Sequence, residues 1–273
     1  MRRRELLRLL GALAVAKPLF AAASEHRLNS IGLQLYTVRA ALEEEFEQTL
    51  ARVAAIGYRE VEFAGYFGHA ASQVRSSLRD AGLMAPSAHI PLEAIGSGWE
   101  EVIENALAIG HRYLVVASAS GVTDIDGYRR VAERFNHAGE VAAKAGIRFG
   151  YHNHEFEFTP LAGQLPYDVL FEATDPKYVC FEMDLYWITR GGQNPLDYFK
   201  RWPGRIVLLH LKDAAGSRPY RMAPVGAGVI NWRRILAQST RTGVEHFFVE
   251  HDDATDPFAS IAESYAYLRE LRF

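Results

Sequence analysis

The stretch IVLLHLKD, residues 206–213, decides the fold class of this chain of 273 residues. It begins apolar and ends in His210, Lys212 and Asp213, side chains that avoid burial unless they are paired or bound to a ligand. The same design recurs in GYHNHEFEF (150–158), CFEMDL (180–185) and FFVEHDD (247–253). Parallel strands of one barrel bring their carboxyl-terminal ends to one face, where the active sites of that fold lie. The pattern therefore predicts polar strand ends that meet at one site.

Strand-like runs and amphipathic helical segments alternate outward from these stretches. They form eight units of about 30 residues each, the size of a strand–helix repeat. Alternation predicts a parallel sheet, and eight units predict an α/β fold that closes into a single-domain (β/α)8 TIM barrel over residues 24–273. The alternative is a doubly wound open sheet, which is disfavoured because no Gly-rich phosphate fingerprint follows the predicted first strand, Ile31–Val38.

Residues 1–23 differ from the rest of the chain. Arg2, Arg3 and Arg4 precede an apolar stretch, Leu6–Ala16, and three alanines at 21–23 offer a cleavage site. This layout predicts an export signal of the twin-arginine type and a periplasmic location, with an ordinary amphipathic helix as the alternative. Without the segment, the chain has 25 basic and 32 acidic residues, which gives a net charge of −7. An acidic body argues against a nucleic-acid partner.

The rest of the chain is predicted to be free of membrane spans and disulfides. It has no apolar run of about 18 residues, the length that a membrane-spanning helix requires. Cys180 is its single cysteine, which excludes an intramolecular disulfide. The sequence leaves a homo-oligomer open.

The polar strand ends carry the residue types that bind metals. Side chains alternate along a barrel strand, so Glu182 and Asp184 share one direction, and so do His210 and Lys212. Carboxylates with an imidazole suit one divalent metal ion, Mn²⁺, Mg²⁺, Co²⁺ or Zn²⁺. Carboxylates this close would repel one another without a cation. A bound ion would also stabilise the enediolate that forms when a proton leaves the carbon beside a sugar carbonyl.

Several motifs together resemble the sugar phosphate isomerase/epimerase superfamily, a xylose isomerase-like TIM barrel that endonuclease IV shares. They are GLQLYTVR (32–39), SAHIPL (87–92), YHNHEFEF (151–158), EMDLYWITRGG (182–192), HLKD (210–213), PVGAGVINW (224–232) and VEH (249–251). The resemblance runs from about Ile31 to the end of the chain. It implies that Glu, Asp, His and Glu from strands five to eight hold one divalent metal.

The resemblance implies specific ligands. They are Glu155, Asp184, His210 and Glu250, and the two Glu residues would also be the catalytic acid and base. The family's first Glu sits further back in its strand, so the fifth-strand ligand stays open between Glu155, His152 and Glu157. Ketose epimerases place a His three residues after the Asp, where this chain has Trp187, which disfavours epimerisation of a free ketose.

Other polar and aromatic residues at strand ends are expected to contact the substrate. Lys212 is expected to be catalytic and to polarise a substrate carbonyl. The expected substrate-binding residues are Gln34, Glu62, His89, His152, His154 and Trp187.

The leading interpretation is a metal-dependent carbohydrate isomerase or epimerase. It would remove a proton next to the carbonyl of a small-molecule sugar or keto-glycoside. The first alternative is a 3-keto-glycoside lyase or hydratase, or an inosose-type dehydratase, which removes the same proton and expels the β-substituent. The alternative from another class is a non-catalytic sugar-binding barrel.

Overall fold

Eight parallel strands form a closed barrel in the computed structural model, which describes residues 26–273. Strand β1 pairs with both β2 and β10, and these pairings close the ring. The barrel strands are β1 (Gly32–Gln34), β2 (Glu60–Phe63), β3 (Met84–Ile90), β4 (Tyr113–Val116), β5 (Arg148–His152), β6 (Val179–Asp184), β7 (Ile206–Leu211) and β10 (His246–Val249). The predicted TIM barrel is confirmed, while the predicted export signal at 1–23 lies outside the described residues.

Helices connect the strands and bury their apolar faces against the barrel. They are α1 (Arg39–Glu44), α2 (Phe46–Ile56), α3 (Ala71–Ala81), α4 (Trp99–Ile109), α5 (Ile125–Lys144), α6 (Pro166–Ala173), α7 (Leu185–Arg190), α8 (Pro195–Arg201), α9 (Trp232–Ser239) and α10 (Pro257–Glu270). In α5, Val131, Phe135 and Ala138 recur at helical spacing and are buried. No helix within residues 26–273 has the length and apolar character needed to cross a bilayer.

The first and fifth strands end earlier than the sequence predicts. The first strand stops at Gln34, because its side-chain oxygen accepts a hydrogen bond of 3.1 Å from Tyr36 N and starts a 3₁₀-helix, Leu35–Val38. The fifth strand, on which the sequence places candidate ligands as far as Glu157, ends at His152, and a 3₁₀-helix follows at Phe156–Phe158. The strand alternation of side chains therefore does not extend to residue 155.

A buried carboxylate just after β7 anchors the segment that leads to α9. Strands β8 (Asp213–Ala215) and β9 (Arg221–Ala223) form a small antiparallel sheet beside the barrel. Asp213 is fully buried and accepts hydrogen bonds from Trp232 Nε1 at 2.7 Å and from Gly226 N at 2.9 Å. A Cβ on Gly228 would lie 2.1 Å from Asp213 Oδ1, so only glycine fits there. The HLKD and PVGAGVINW motifs thus pack against each other.

Candidate metal centre and active site

A cavity of about 490 Å³ opens at the carboxyl-terminal end of the barrel. His152 is the last residue of β5, and Lys212 and Glu250 directly follow β7 and β10, which places the cavity at the usual active-site face. The charged and imidazole side chains that line it are His89, His152, His154, Lys212, Glu250 and Asp252. A larger cavity of about 670 Å³ lies at the opposite end, where Glu60 and Met84 begin their strands, and no predicted site residue lines it.

Three of the predicted metal ligands lie together beneath the cavity. One ligand atom each from Asp184, His210 and Glu250 falls within 4.8 Å of the others, and all three residues are buried. His210 Nδ1 is 2.7 Å from Glu250 Oε2 and 3.9 Å from Asp184 Oδ2. His152 joins them, because its Nε2 atom is 3.8 Å from Asp184 Oδ2. Two carboxylates and two imidazoles form a donor set that suits a divalent transition metal.

The orientation of Asp184 follows from the junction of β6 with α7. Asp184 is the N-cap of α7, and its Oδ1 atom accepts a hydrogen bond of 2.8 Å from Trp187 N. Asn153 Oδ1 also accepts a hydrogen bond of 3.0 Å from Asp184 N. The other oxygen, Oδ2, is buried and accepts no hydrogen bond from residues 26–273. Its charged neighbour is the Lys212 ammonium at 3.1 Å, and a metal ion at this point would supply a second positive charge.

Lys212 supplies a positive charge to the same carboxylates. Its Nζ atom lies 2.7 Å from Glu250 Oε2, 3.1 Å from Asp184 Oδ2 and 3.0 Å from Asp252 Oδ1. Burial alone lowers the pKa of Lys212, but these carboxylates outweigh it and raise the pKa well above its ordinary value. Lys212 is therefore a permanent cation next to the ligand group. The sequence analysis missed Asp252, which lies two residues beyond Glu250.

Glu182 is a second residue of the site that the sequence analysis did not select. Its Oε2 atom lies 2.6 Å from His89 Nε2, 3.0 Å from His152 Nδ1 and 3.1 Å from His210 Nε2. The signal was present in the sequence, because Glu182 shares the strand direction of Asp184. It is one layer deeper in the barrel and fully buried.

Gln34 and Glu62 lie at this deeper level as well, not at the cavity where substrate contacts were expected. Both are fully buried, and neither lines the cavity. Glu62 Oε2 is 2.7 Å from Gln34 Nε2 and 2.6 Å from His210 Nε2. Glu62 therefore contacts the metal-ligand candidate His210, and Gln34 contacts Glu62.

Glu155 does not join the metal-ligand candidates, and this corrects the ligand set expected from the sequence. Its carboxylate pairs with Arg190 Nε at 2.8 Å, and its side chain is 40% exposed. The cause is the early end of β5, which leaves Glu155 in the turn before the 3₁₀-helix. Glu157 is buried, but it accepts hydrogen bonds from His154 N and the Tyr151 hydroxyl. Of the three fifth-strand candidates, the geometry brings only His152 to the ligand group.

His154 lines the cavity, and Trp187 packs beside it without lining the cavity itself. Their ring centroids are 5.6 Å apart, and Lys212 Nζ lies 5.6 Å from the centre of the Trp187 ring. Burial lowers the pKa of His154 to about 4, with a smaller contribution from the Lys212 charge. His154 is therefore a neutral imidazole, and its Nδ1 atom has no hydrogen-bond partner in the described part of the chain. Substrate contacts by His154 and Trp187 stay predictions.

The comparison with protein families decides what kind of barrel this is. The model of the xylose isomerase-like TIM barrel family matches residues 50–271. The chain belongs to this family. Members of the xylose isomerase-like family are enzymes and include epimerases, isomerases and dehydratases.

Curated relatives and solved structures agree with this assignment. An inosose dehydratase from Bacillus cereus (strain AH820) is 23% identical over 193 residues. The match covers 63% of this chain and 64% of that protein, so this chain spans less than two thirds of the length of the relative. A sugar phosphate isomerase/epimerase from Parabacteroides distasonis is 29% identical, covers 89% of this chain and 98% of its own, and has a TM-score of 0.80. A 3-keto-D-glucoside 4-epimerase from E. coli shares the fold at 17% identity, 89% and 99% coverage and a TM-score of 0.66.

Proposed function

We propose that this chain is a divalent-metal-dependent carbohydrate isomerase or epimerase that removes a proton next to a substrate carbonyl. The observation that carries the proposal is the convergence of Asp184, His210 and Glu250 beneath a cavity at the barrel mouth. Their burial beside the permanent cation Lys212 is costly for a protein and is typical of an active site.

Four side chains would hold the metal: His152, Asp184, His210 and Glu250. Two imidazoles in this set favour a transition metal such as Mn²⁺, Co²⁺ or Zn²⁺ over Mg²⁺. When bound, the ion supplies a Lewis acid that polarises a carbonyl oxygen. The Asp184 Oδ2 atom supports the fit, since it is buried, accepts no hydrogen bond from the described residues and has the Lys212 ammonium at 3.1 Å as its ion-pair partner.

Residues that face the cavity would accept and stabilise the proton and charge that move in the reaction. Glu250 and the neutral His154 can each accept a proton, because both line the cavity. Lys212 can donate a hydrogen bond to the substrate oxygen that gains negative charge. Glu155, the base expected from the family resemblance, has no part in this proposal because it is paired with Arg190 at the surface.

An uncharged sugar or keto-glycoside suits this cavity better than a sugar phosphate. Lys212 is the only lysine or arginine among the described residues that line it, and three carboxylates already surround its ammonium. A phosphate group therefore finds no free cation there. Tyr36 also lines the cavity and is 41% exposed, so its ring can pack against the apolar face of a sugar.

Elimination is the second candidate, as in a 3-keto-glycoside lyase or an inosose-type dehydratase. One observation favours it: the ammonium of Lys212 lies 2.7 Å from Glu250, so a hydrogen-bond donor for the departing group and a base are adjacent on one side of the cavity. Epimerisation instead benefits from proton-transfer groups on both faces of the sugar. The inosose dehydratases among the curated relatives support the same alternative.

The decisive experiment follows a panel of keto-sugars and 3-keto-glycosides by NMR in D₂O with the metal-loaded enzyme. Isomeric products that carry deuterium support the isomerase or epimerase, whereas an enone and a released substituent support elimination. Glu250→Gln should abolish exchange, and Glu60→Gln, at the opposite end of the barrel, is the matched control. If ligands raise the melting temperature but no deuterium enters under saturating metal, the chain is a sugar-binding barrel and the enzyme proposal is wrong.

We also propose that the protein is exported by the twin-arginine route, on the basis of residues 1–23 alone. Changing Arg3 and Arg4 together to Lys should block export. Unchanged export of that variant would contradict the proposal.

A further inference from the structure

One buried carboxylate oxygen lies at the centre of three imidazole rings. Glu182 Oε2 is within 3.1 Å of a nitrogen of His89, His152 and His210. The rings pack on one another around it, with centroids 4.9 Å apart for His89 and His152 and 4.5 Å apart for His152 and His210. We propose that Glu182 is a positioning residue that fixes the tautomer of all three histidines. The inference rests on the proposed metal site.

The three contacts of Glu182 have the geometry of hydrogen bonds, within a cluster of His89, His152, Glu182 and His210 whose ligand atoms all lie within 4.8 Å of one another. The nitrogen-to-oxygen distances of 2.6 to 3.1 Å are hydrogen-bond lengths. A zinc ion lies about 2.0–2.1 Å from each histidine ligand and must itself occupy the centre of them. Here the carboxylate oxygen occupies the central position. Each imidazole therefore points an N–H group at Glu182.

This arrangement decides which nitrogen of each histidine can bind the metal. A neutral imidazole carries one N–H, so the nitrogen that donates to a carboxylate leaves the other as a lone pair. His152 donates through Nδ1, which leaves Nε2 for the metal, 3.8 Å from Asp184 Oδ2. His210 Nε2 faces Glu62 at 2.6 Å and Glu182 at 3.1 Å, whereas Nδ1 faces Glu250 Oε2 at 2.7 Å on the side of the proposed metal. With a metal bound beside Glu250, the single proton of His210 therefore belongs on Nε2, and Nδ1 becomes the metal ligand.

The third histidine has a different role because it lies outside that group. His89 donates through Nε2 to Glu182 at 2.6 Å, and its ring lines the cavity. Its remaining nitrogen, Nδ1, has no hydrogen-bond partner among residues 26–273 and is left as an acceptor. The geometry assigns His89 to a substrate hydroxyl, which would donate to Nδ1. Glu182 thus orients both the metal ligands and one substrate contact.

The test reads the tautomers directly from ¹⁵N-histidine-labelled protein, using long-range ¹H–¹⁵N NMR with Zn²⁺ as the probe. The expected result is a proton on Nδ1 of His152 and on Nε2 of both His89 and His210. In Glu182→Gln, the amide donates as well as accepts, so at least one ring should change tautomer. Zinc affinity should then fall about 10- to 100-fold, as for other residues that orient metal ligands.

A matched control separates this role from a general effect on the barrel. Glu60→Gln removes another buried carboxylate, which bonds His246 Nδ1 at 2.8 Å at the opposite end of the barrel. It should leave the signals of the three site histidines and the zinc affinity unchanged. If Glu182→Gln does not fold, the spectra of the unmodified protein still decide the tautomers.

The failures of the two proposals are distinguishable. Zinc bound at the site with a proton on His152 Nε2 or His210 Nδ1 overturns the role of Glu182 and leaves the proposed function intact. Unchanged histidine tautomers and an unchanged zinc affinity in Glu182→Gln would likewise overturn the role of Glu182 and leave the proposed function intact. A protein that binds no zinc overturns the proposed metal-dependent function together with this inference.

Discussion

Lys212 Nζ lies 2.7 Å from Glu250 Oε2, so a lysine ammonium neutralises part of the site that we propose for a metal ion. The same ammonium is 3.1 Å from Asp184 Oδ2. A divalent metal ion and an ammonium near the same carboxylates repel each other, and the repulsion is worth about 2 to 8 kcal/mol at 4 Å for effective dielectric constants between water and a protein surface. Lys212 is therefore expected to weaken metal binding while it serves the reaction.

Lys212→Met should separate these two effects. Without the ammonium, Mn²⁺ should bind about tenfold more tightly or better, because its electrostatic competitor is gone. Turnover should fall by about 10²- to 10³-fold, the range for loss of a hydrogen-bond donor to an oxygen that gains negative charge. Isothermal titration with Mn²⁺ and a turnover assay measure the two quantities. Weaker Mn²⁺ binding in Lys212→Met would show that the ammonium does not compete with the metal.

Glu155→Gln should have little effect on either metal content or activity. The Glu155–Arg190 pair is exposed, and such pairs contribute about 0–1 kcal/mol. Asp184→Asn, in contrast, should lose most of the bound metal, because it removes the charge from a ligand oxygen that has no other hydrogen bond. Elemental analysis of the two purified variants gives the comparison. Metal loss in Glu155→Gln would return that residue to the ligand set.

His111 should make the fold sensitive to acid. It is buried, with Nδ1 donating to Ala85 O at 2.6 Å, and burial lowers its pKa to about 4. Its pKa in the unfolded chain is about 6.5, so the unfolded state takes up a proton first as the pH falls. Its contribution to stability is therefore present above pH 6.5 and is lost as the pH falls towards 4. Between pH 7 and pH 5 the loss is about 2 kcal/mol.

Urea unfolding of the natural protein and of His111→Gln at both pH values tests this expectation. The variant should be less stable at pH 7, but its stability should fall less between pH 7 and pH 5. An equal fall in both proteins would mean that His111 is not the group responsible.

Gly228→Ala should destabilise the segment between β9 and α9. Its Cβ would lie 2.1 Å from Asp213 Oδ1 and 2.6 Å from Ala214 O, and backbone cannot move aside as a flexible side chain can. Overpacking of this kind costs about 1–3 kcal/mol. Val229→Ala, at an exposed neighbour, should stay within about 0.5 kcal/mol. Thermal unfolding of both variants is the measurement, and equal stability would contradict the packing.

The barrel was predictable because its signals are local and repeated. Apolar runs such as Ile206–Leu211 alternate with amphipathic helices such as α5, and each run ends in polar residues that a closed barrel gathers at one face. Asp184, His210 and Glu250 come directly from this logic, since each lies in or directly after its strand.

The errors at the site arise where a strand ends or where a contact crosses the barrel. Glu155 was selected by motif likeness, but the length of β5 depends on the local turn, and alternation cannot reveal where a strand stops. Glu182 points in the same direction as Asp184 along the strand, but its role at the site depends on contacts with His89 and His210 on other strands. Such pairings depend on barrel register, which a single sequence does not specify.

The most direct measurement is an anomalous difference map from a crystal of the protein soaked in Mn²⁺. We expect one peak per chain within bonding distance of His152 Nε2, Asp184 Oδ2, His210 Nδ1 and Glu250. A map with no peak there, or with the ion held by other residues, would contradict the metal site on which the proposed function depends.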